Sequence, residues 1–273
     1  MGFFETLRRR AEQLDSWVCV GLDPVRERLP LDLGSSHEAL ASFVRAIIEA
    51  THDVVTCFKP NLAFYMAEGA DGLRFLEQLR RIIPEDVPVI LDAKSGDVGS
   101  TAATYAKGVF EVWGFDAITV SPYVGDDAVL PFAHYADKGV FVLTRTSNPD
   151  SARFQSHHEL WRKVVEAALE WNGNGNVGLV VGATHPQDLQ AVRQAAPDLP
   201  FLIPGVGAQG GDVPAAVRWG PSRGGVPPLI NSSRGILYAS KHEDFADAAR
   251  AAAIALRDEI RSQREAIRSW PKQ

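Results

Sequence analysis

Eight short β-rich runs recur along the chain, at 17–22, 54–58, 87–91, 117–120, 140–143, 177–181, 200–203 and 228–230, each bounded by turn residues. Amphipathic helical patterns separate them. Leu40, Phe43, Val44, Ile47 and Ile48 fall at helical spacing within 38–51, as do Leu73, Phe75, Leu76, Leu79, Ile82 and Ile83 within 72–83. Nearly continuous apolar strands joined by helical crossovers specify parallel strands buried on both faces. A doubly wound open sheet and a closed barrel both meet that requirement. Eight strands favour closure, because an open sheet of that size more often carries an irregular or antiparallel edge. The expectation is therefore an α/β fold, a single-domain (β/α)8 TIM barrel. Residues 1–14 read as an extra helix covering the barrel floor, and 241–270 as a long closing helix. The Pro/Gly-rich stretch 219–228 reads as a loop entering the last strand, so 1–273 forms one domain.

Charge and cysteine usage exclude several function classes. The 28 Lys and Arg against 34 Asp and Glu give a net charge of −6, and the one basic cluster is Arg8-Arg9-Arg10 on a helical pattern, so a nucleic-acid groove is not expected. Cys19 and Cys57 lie in apolar runs without Cys-x-x-Cys spacing and read as buried thiols of a reducing cytoplasm, not as a disulfide framework or zinc site. No apolar stretch reaches the roughly 18 residues of a membrane span, and the charged N-terminus lacks the apolar centre of a signal peptide. Gly2 with Thr6 formally matches a myristoylation pattern, but Phe3, Phe4 and Leu7 have helical spacing suited to packing.

In a barrel the reacting groups gather at the carboxyl ends of the strands, and here those ends are polar. The first run ends in Gly21-Leu22-Asp23-Pro24, the second in Phe58-Lys59-Pro60-Asn61, and the third in Leu91-Asp92-Ala93-Lys94, followed by Ser95-Gly96-Asp97. Strand alternation points Asp92 and Lys94 to the same side, into the mouth, with Asp97 on the adjoining loop. A structural ion-pair network capping the barrel is the bland alternative for one Asp-x-Lys. With Lys59 and Asp23 added, burying so many charges costs stability that packing alone would not require, which argues for chemistry.

After the seventh run comes Pro204-Gly205-Val206-Gly207-Ala208-Gln209-Gly210, and after the eighth Asn231-Ser232-Ser233-Arg234-Gly235. Glycines free backbone N–H groups to approach a ligand and Arg234 can fork onto an anion, which fits the phosphate site such barrels carry after strands seven and eight. The spacing of Gly205, Gly207 and Gly210 also satisfies a dinucleotide fingerprint, but position 230, twenty residues on, is Ile230 and not an acid. The histidines show no metal-ligand spacing: His157 and His158 are adjacent and His185 stands alone. Ser147, after the fifth run, has no base nearby in sequence and reads as a hydrogen-bonding group or a turn residue.

These residues resemble the orotidine 5′-phosphate decarboxylase family, in its longer bacterial branch (type 2). The likeness spans nearly the whole chain: GLDP at Asp23, FKPN at Lys59, LDAKSGDVGSTA over 91–102, LTRTSNP around Ser147, PGVGAQGGD around Gln209 and SSRGI around Arg234. The resemblance implies release of CO2 from orotidine 5′-phosphate to give UMP in de novo pyrimidine biosynthesis, without metal or cofactor. It implies that Lys59, Asp92, Lys94 and Asp97 form an alternating-charge catalytic tetrad, with Lys94 donating a proton to a C6 carbanion. It further implies a homodimer in which Asp97 and Thr101 reach across the interface. Asp23 and Thr101 would contact ribose, Ser147 the pyrimidine amide, and Gln209 with Arg234 the phosphate. Val98 stands where such motifs often have Ile, and Ser95 where this branch often has a basic residue; neither change removes a required group. Two rivals remain: a metal-assisted sugar-phosphate lyase on the same barrel, against which Lys59 argues by repelling a cation, and a catalytically silent phosphate-binding barrel.

Overall fold

Each apolar run becomes a strand: β1 (Val18–Leu22), β2 (Cys57–Pro60), β3 (Ile90–Ser95), β4 (Ala117–Val120), β5 (Gly139–Arg145), β6 (Val177–Val181), β7 (Phe201–Ile203) and β8 (Leu229–Ser232). The computed structural model describes residues 2–206 and 210–269. All strand pairings are parallel, in the order β2-β1-β8-β7-β6-β5-β4-β3, and the parallel bridges Phe58↔Val89 and Asn61↔Asp92 join β2 to β3 and close the barrel. Strands β2, β3, β5 and β8 run past the apolar runs that mark them, carrying Lys59, Asp92, Lys94, Arg145 and Asn231 within the strands. Hydrophobic patterning misses these ends because they face the barrel mouth, where polar side chains are solvated or paired.

The principal helices are α1 (Phe3–Leu14), α2 (His37–Thr51), α3 (Gly69–Ile82), α4 (Gly99–Lys107), α5 (Leu160–Trp171), α6 (Pro186–Ala195), α7 (Val213–Trp219) and α8 (Phe245–Ser269). Side-chain caps fix two of their starts: Ser36 Oγ accepts from Ala39 N at 3.1 Å before α2, and Asp212 Oδ1 from Ala215 N at 2.8 Å before α7. The closing helix α8 starts at Phe245, four residues later than expected, and packs against α2 and α7. No described helix is long and apolar enough to cross a membrane.

The barrel floor is a separate apolar layer to which every strand contributes one residue: Cys19, Cys57, Ile90, Ala117, Phe141, Val180, Leu202 and Leu229. Helix α1 plugs it. Phe3 and Phe4 meet Phe141 edge-on at centroid distances of 6.0 and 5.5 Å, and Leu7 is buried beside them. The N-terminal apolar spacing is thus spent on packing. Arg8 pairs with Glu5 and Glu12, while Arg10 is buried and pairs with Asp86 at 2.5 Å, so two of the three clustered arginines serve the fold.

Gly139 opens β5 where the Phe3 ring presses on the strand: a Cβ there would lie 2.2 Å from Phe3 Cδ1. Gly139→Ala must push the plugging ring off the floor, and denaturant unfolding should record a loss of about 1–3 kcal/mol. An unchanged midpoint would show that α1 does not seal the barrel.

Candidate active site

A single carboxylate organises the mouth. Asp92 Oδ2 accepts from Lys59 Nζ at 2.8 Å and from Asn61 Nδ2 at 3.2 Å. Its Oδ1 accepts from Lys94 Nζ at 2.6 Å and Thr119 Oγ1 at 2.8 Å. Neighbouring strand ends explain the convergence: Lys59 is on β2 with Asn61 just beyond it, Asp92 and Lys94 lie on β3 where its register with β4 shifts, and Thr119 lies on β4. The two ammonium groups differ in setting. The Lys59 side chain is 4% exposed and that of Lys94 47% exposed, so one lysine is nearly buried at the cavity wall and the other stands open.

Burial works against both members of the inner pair, and opposite charge outweighs it. Desolvation would raise the Asp92 pKa, yet Lys59 and Lys94 hold it well below the usual carboxylate range. Desolvation would lower that of Lys59, yet Asp92 and Asp23 hold it above the ordinary lysine value. Both groups therefore stay charged throughout the neutral range.

A second carboxylate stands beside the first. Asp23 Oδ1 accepts from Asn61 N at 3.2 Å, and Oδ2 from Ser233 Oγ at 2.6 Å. Gly21 makes room for that bond, since a Cβ there would come within 1.8 Å of Ser233 Oγ. Tyr238 braces the same turn: Val25 N donates to its hydroxyl at 2.6 Å, which donates to the Asp23 carbonyl at 3.3 Å, and Arg28 stacks 3.9 Å over the ring.

Asp23, Arg28, Lys59, Asn61, Asp92, Lys94 and Thr119 line one cavity of about 460 Å³, which Ser147 and Arg234 also line. The loop bearing Ser147 is held from beneath by Arg145, whose guanidinium pairs with Asp188 at 2.8 Å and donates to Ser151 Oγ at 2.8 Å and Gln155 Oε1 at 3.2 Å. Gln155 Oε1 in turn accepts from Thr146 N at 2.9 Å. The loop lies directly on β6's exit, where a Cβ on Gly182 would come within 2.7 Å of Ser147 N.

The structure thus gathers Asp23, Lys59, Asp92, Lys94, Ser147 and Arg234 around one cavity. Asp97 and Thr101 do not line it: Asp97 Oδ1 accepts from Val98 N at 2.7 Å, and Thr101 borders a shallow, largely apolar depression with Tyr105, Val109 and Trp113. Gln209 lies outside the described residues. Sequence reasoning gave no role to Asn61, Thr119, Arg28 or Arg145. Their signals were present but faint: an amide closing the FKPN motif, one hydroxyl inside an apolar run, an arginine in the turn after β1 and another at the end of β5.

The Asp92 pKa is depressed in the folded state, so its contribution to stability is present above the unfolded value of about 3.9 and lost as pH falls through the lower folded value. Asp92→Asn leaves two ammonium groups facing a neutral amide and should cost about 3–5 kcal/mol near pH 6. In denaturant titrations the gap between wild type and variant should shrink as the pH drops below about 4. A gap that persists undiminished at pH 2 would contradict this electrostatic account.

Residues 16–250 match the model of the family described as orotidine 5′-phosphate decarboxylase / HUMPS. An orotidine 5′-phosphate decarboxylase from Thermomicrobium roseum is 50% identical over 274 residues, covering 98% of each chain. The solved structure of Leishmania donovani UMP synthase superposes with a TM-score of 0.87 at 43% identity, covering 97% of this chain and 57% of that longer one. The L. donovani OMP decarboxylase structure gives a TM-score of 0.85 at 41% identity, covering 97% of this chain and 100% of the other. Eight parallel strands closed around a Lys-Asp-Lys mouth, with likeness over nearly the whole length, place one conclusion beyond the fold itself: the chain belongs to the orotidine 5′-phosphate decarboxylase / HUMPS family.

Proposed function

We propose that this chain releases CO2 from orotidine 5′-phosphate to give uridine 5′-phosphate, a step of de novo pyrimidine synthesis in the cytoplasm, where Cys19 and Cys57 stay reduced. The observation that carries this reading is the Lys94 ammonium, 2.6 Å from Asp92 and open to the cavity that Ser147 and Arg234 also line. The whole chain 1–273 acts as one catalytic unit. Arg234 and Gln209 grip the phosphate, Asp23 the ribose, and Ser147 the pyrimidine amide.

The bond from C6 to the carboxyl carbon breaks and its electron pair stays on C6, in an in-plane orbital that the ring π system cannot readily delocalise. The site must therefore stabilise a localised anion, and Lys94 supplies the nearest positive charge. An ammonium about 3 Å from unit negative charge at an effective dielectric near 20 contributes roughly 5 kcal/mol, or about four powers of ten in rate. Lys94 then passes a proton to C6 and is reprotonated from solvent. Asp92 and Asp97 keep its ammonium charged and aimed, and Lys59 bridges Asp92 and the ribose. The remaining acceleration comes from phosphate binding energy, used to exclude water and to hold the charges ready before reaction.

Neither a metal nor a cofactor enters this chemistry. In the metal-assisted rival a divalent ion needs carboxylate ligands at the end of β2, where Lys59 places a cation, and both Asp92 oxygens are already engaged by ammonium groups. Activity that resists chelator supports the metal-free reading. A silent barrel has no use for four alternating charges, and incubation with the substrate separates it from an enzyme.

Asp97 and Thr101 serve the site of a second copy, in a homodimer. Supporting this, Val98, Tyr105, Val112, Tyr123 and Val124 are exposed apolar residues on and around the same segment, 48–80% accessible in the single chain.

Lys94→Ala should lower CO2 release at least 10⁴-fold in a direct ultraviolet or CO2 assay, the factor expected for loss of that charge. Rapid turnover by the variant would end the proposed mechanism. Mixing Lys94→Ala with Asp97→Ala protein tests the shared site. With free exchange half the dimers are mixed, each with one undamaged site of two, so about a quarter of wild-type activity should return. Proven exchange without recovery would remove Asp97 from the partner's site.

A further inference from the structure

We infer that Thr119 is the positioning residue that sets the Lys94 ammonium for reaction, through one hydroxyl that fixes both the lysine's main chain and the carboxylate holding its side chain. This deepens the decarboxylase reading and rests on it. The β3–β4 ladder runs Leu91↔Ile118 and resumes at Ser95↔Val120, so three residues of β3, Asp92 to Lys94, stand opposite Thr119 alone. A bulge of this kind withdraws ladder partners from the bulged strand and redirects its side chains. Lys94 absorbs the distortion with φ +49°, a left-handed conformation unfavourable for any residue bearing a Cβ.

Lys94 N donates to Thr119 Oγ1 at 3.0 Å. The same hydroxyl gives its one proton to Asp92 Oδ1 at 2.8 Å, the oxygen that also receives Lys94 Nζ at 2.6 Å. The triangle therefore closes: lysine amide to hydroxyl, hydroxyl to carboxylate, carboxylate to lysine ammonium. Its polarity is fixed, because an ionised Asp92 can only accept and the amide can only donate. Thr119 is 1% exposed, and the β-branched side chain has few rotamers to choose from, so the hydroxyl is confined where it is needed. Asn61 and Lys59 hold the opposite oxygen, Oδ2, and have no hold on the Lys94 main chain.

The hydroxyl acts on where the ammonium sits and leaves the charges, the cavity and the groups lining the phosphate end in place. Thr119→Val, which keeps the shape and removes the hydroxyl, should lower kcat about 100-fold, the scale of an ångström-sized misplacement of a reacting group, with KM within about threefold of wild type. Thr119→Ser, which restores the hydroxyl, should return kcat to within about fivefold. Amide hydrogen exchange at Lys94 should quicken at least tenfold in Thr119→Val and stay near wild type in Thr119→Ser. If Thr119→Val fails to fold, Thr119→Ala against Thr119→Ser carries the same contrast.

A kcat for Thr119→Val within threefold of wild type, or unchanged Lys94 exchange, overturns the inference. So does a loss in both hydroxyl-free and hydroxyl-bearing variants that tracks melting temperature, since that is the mark of packing alone. Wild-type protein that leaves orotidine 5′-phosphate untouched sinks the decarboxylase reading instead, and the exchange comparison then still decides whether Thr119 fixes the lysine.

Discussion

One negative charge held between two positive ones, largely out of water, is the constraint around which this molecule is arranged. Taking each ion from solvent costs several kcal/mol, and mutual attraction repays that only where geometry is good and the remaining lone pairs are satisfied. Asp92 meets the condition with four donors on two oxygens, drawn from β2, β3 and β4. No single element could supply them. The closure of β2 against β3, made by the Asn61↔Asp92 bridge, is therefore both the last seam of the barrel and the joint that assembles the site.

The burden of stability falls at the other end. A layer with one apolar side chain from each strand, sealed by Phe3 and Phe4 against Phe141, makes the floor rigid without polar groups. The mouth can then carry buried charge, a ladder interrupted by a bulge and a left-handed lysine, features that each oppose folding. This separation follows from the barrel's polarity: strand carboxyl ends open toward the crossovers' starting loops, so that face can vary while the floor stays packed.

Eight apolar runs with helical crossovers sufficed to specify the barrel, because burial on both faces leaves a continuous hydrophobic signature that a parallel strand cannot hide. Lys59, Asp92 and Lys94 were legible for the opposite reason, being charges where apolar runs end. What stayed illegible depends on three-dimensional register. Thr119 looks like an ordinary strand residue until the β3–β4 ladder slips and leaves it facing three residues at once. Arg145 reads as a polar strand end, and only folding brings Asp188, Ser151 and Gln155 around it. Asp97 and Thr101 show the reverse case: motif position singles them out, while within one chain neither lines the cavity and exposed apolar residues such as Val98 and Tyr105 stand on the same segment.

The two lysines bonded to Asp92 are not equivalent, and their difference in burial is what the proposed proton transfer draws on. Lys59 borders the cavity but is nearly buried, and its pKa is held above the ordinary value by two carboxylates, so it gives up a proton reluctantly. Its fitting task is to fix charge: it keeps Asp92 ionised and turned toward the mouth. Lys94 shares the same carboxylate but is about half exposed at the cavity, the setting that the proposed proton transfer to a ring carbon and reprotonation from water require. The bulge that takes Lys94 out of regular strand geometry lies at the lysine to which the proposed mechanism gives the proton transfer, while Lys59 stays in the regular ladder of β2.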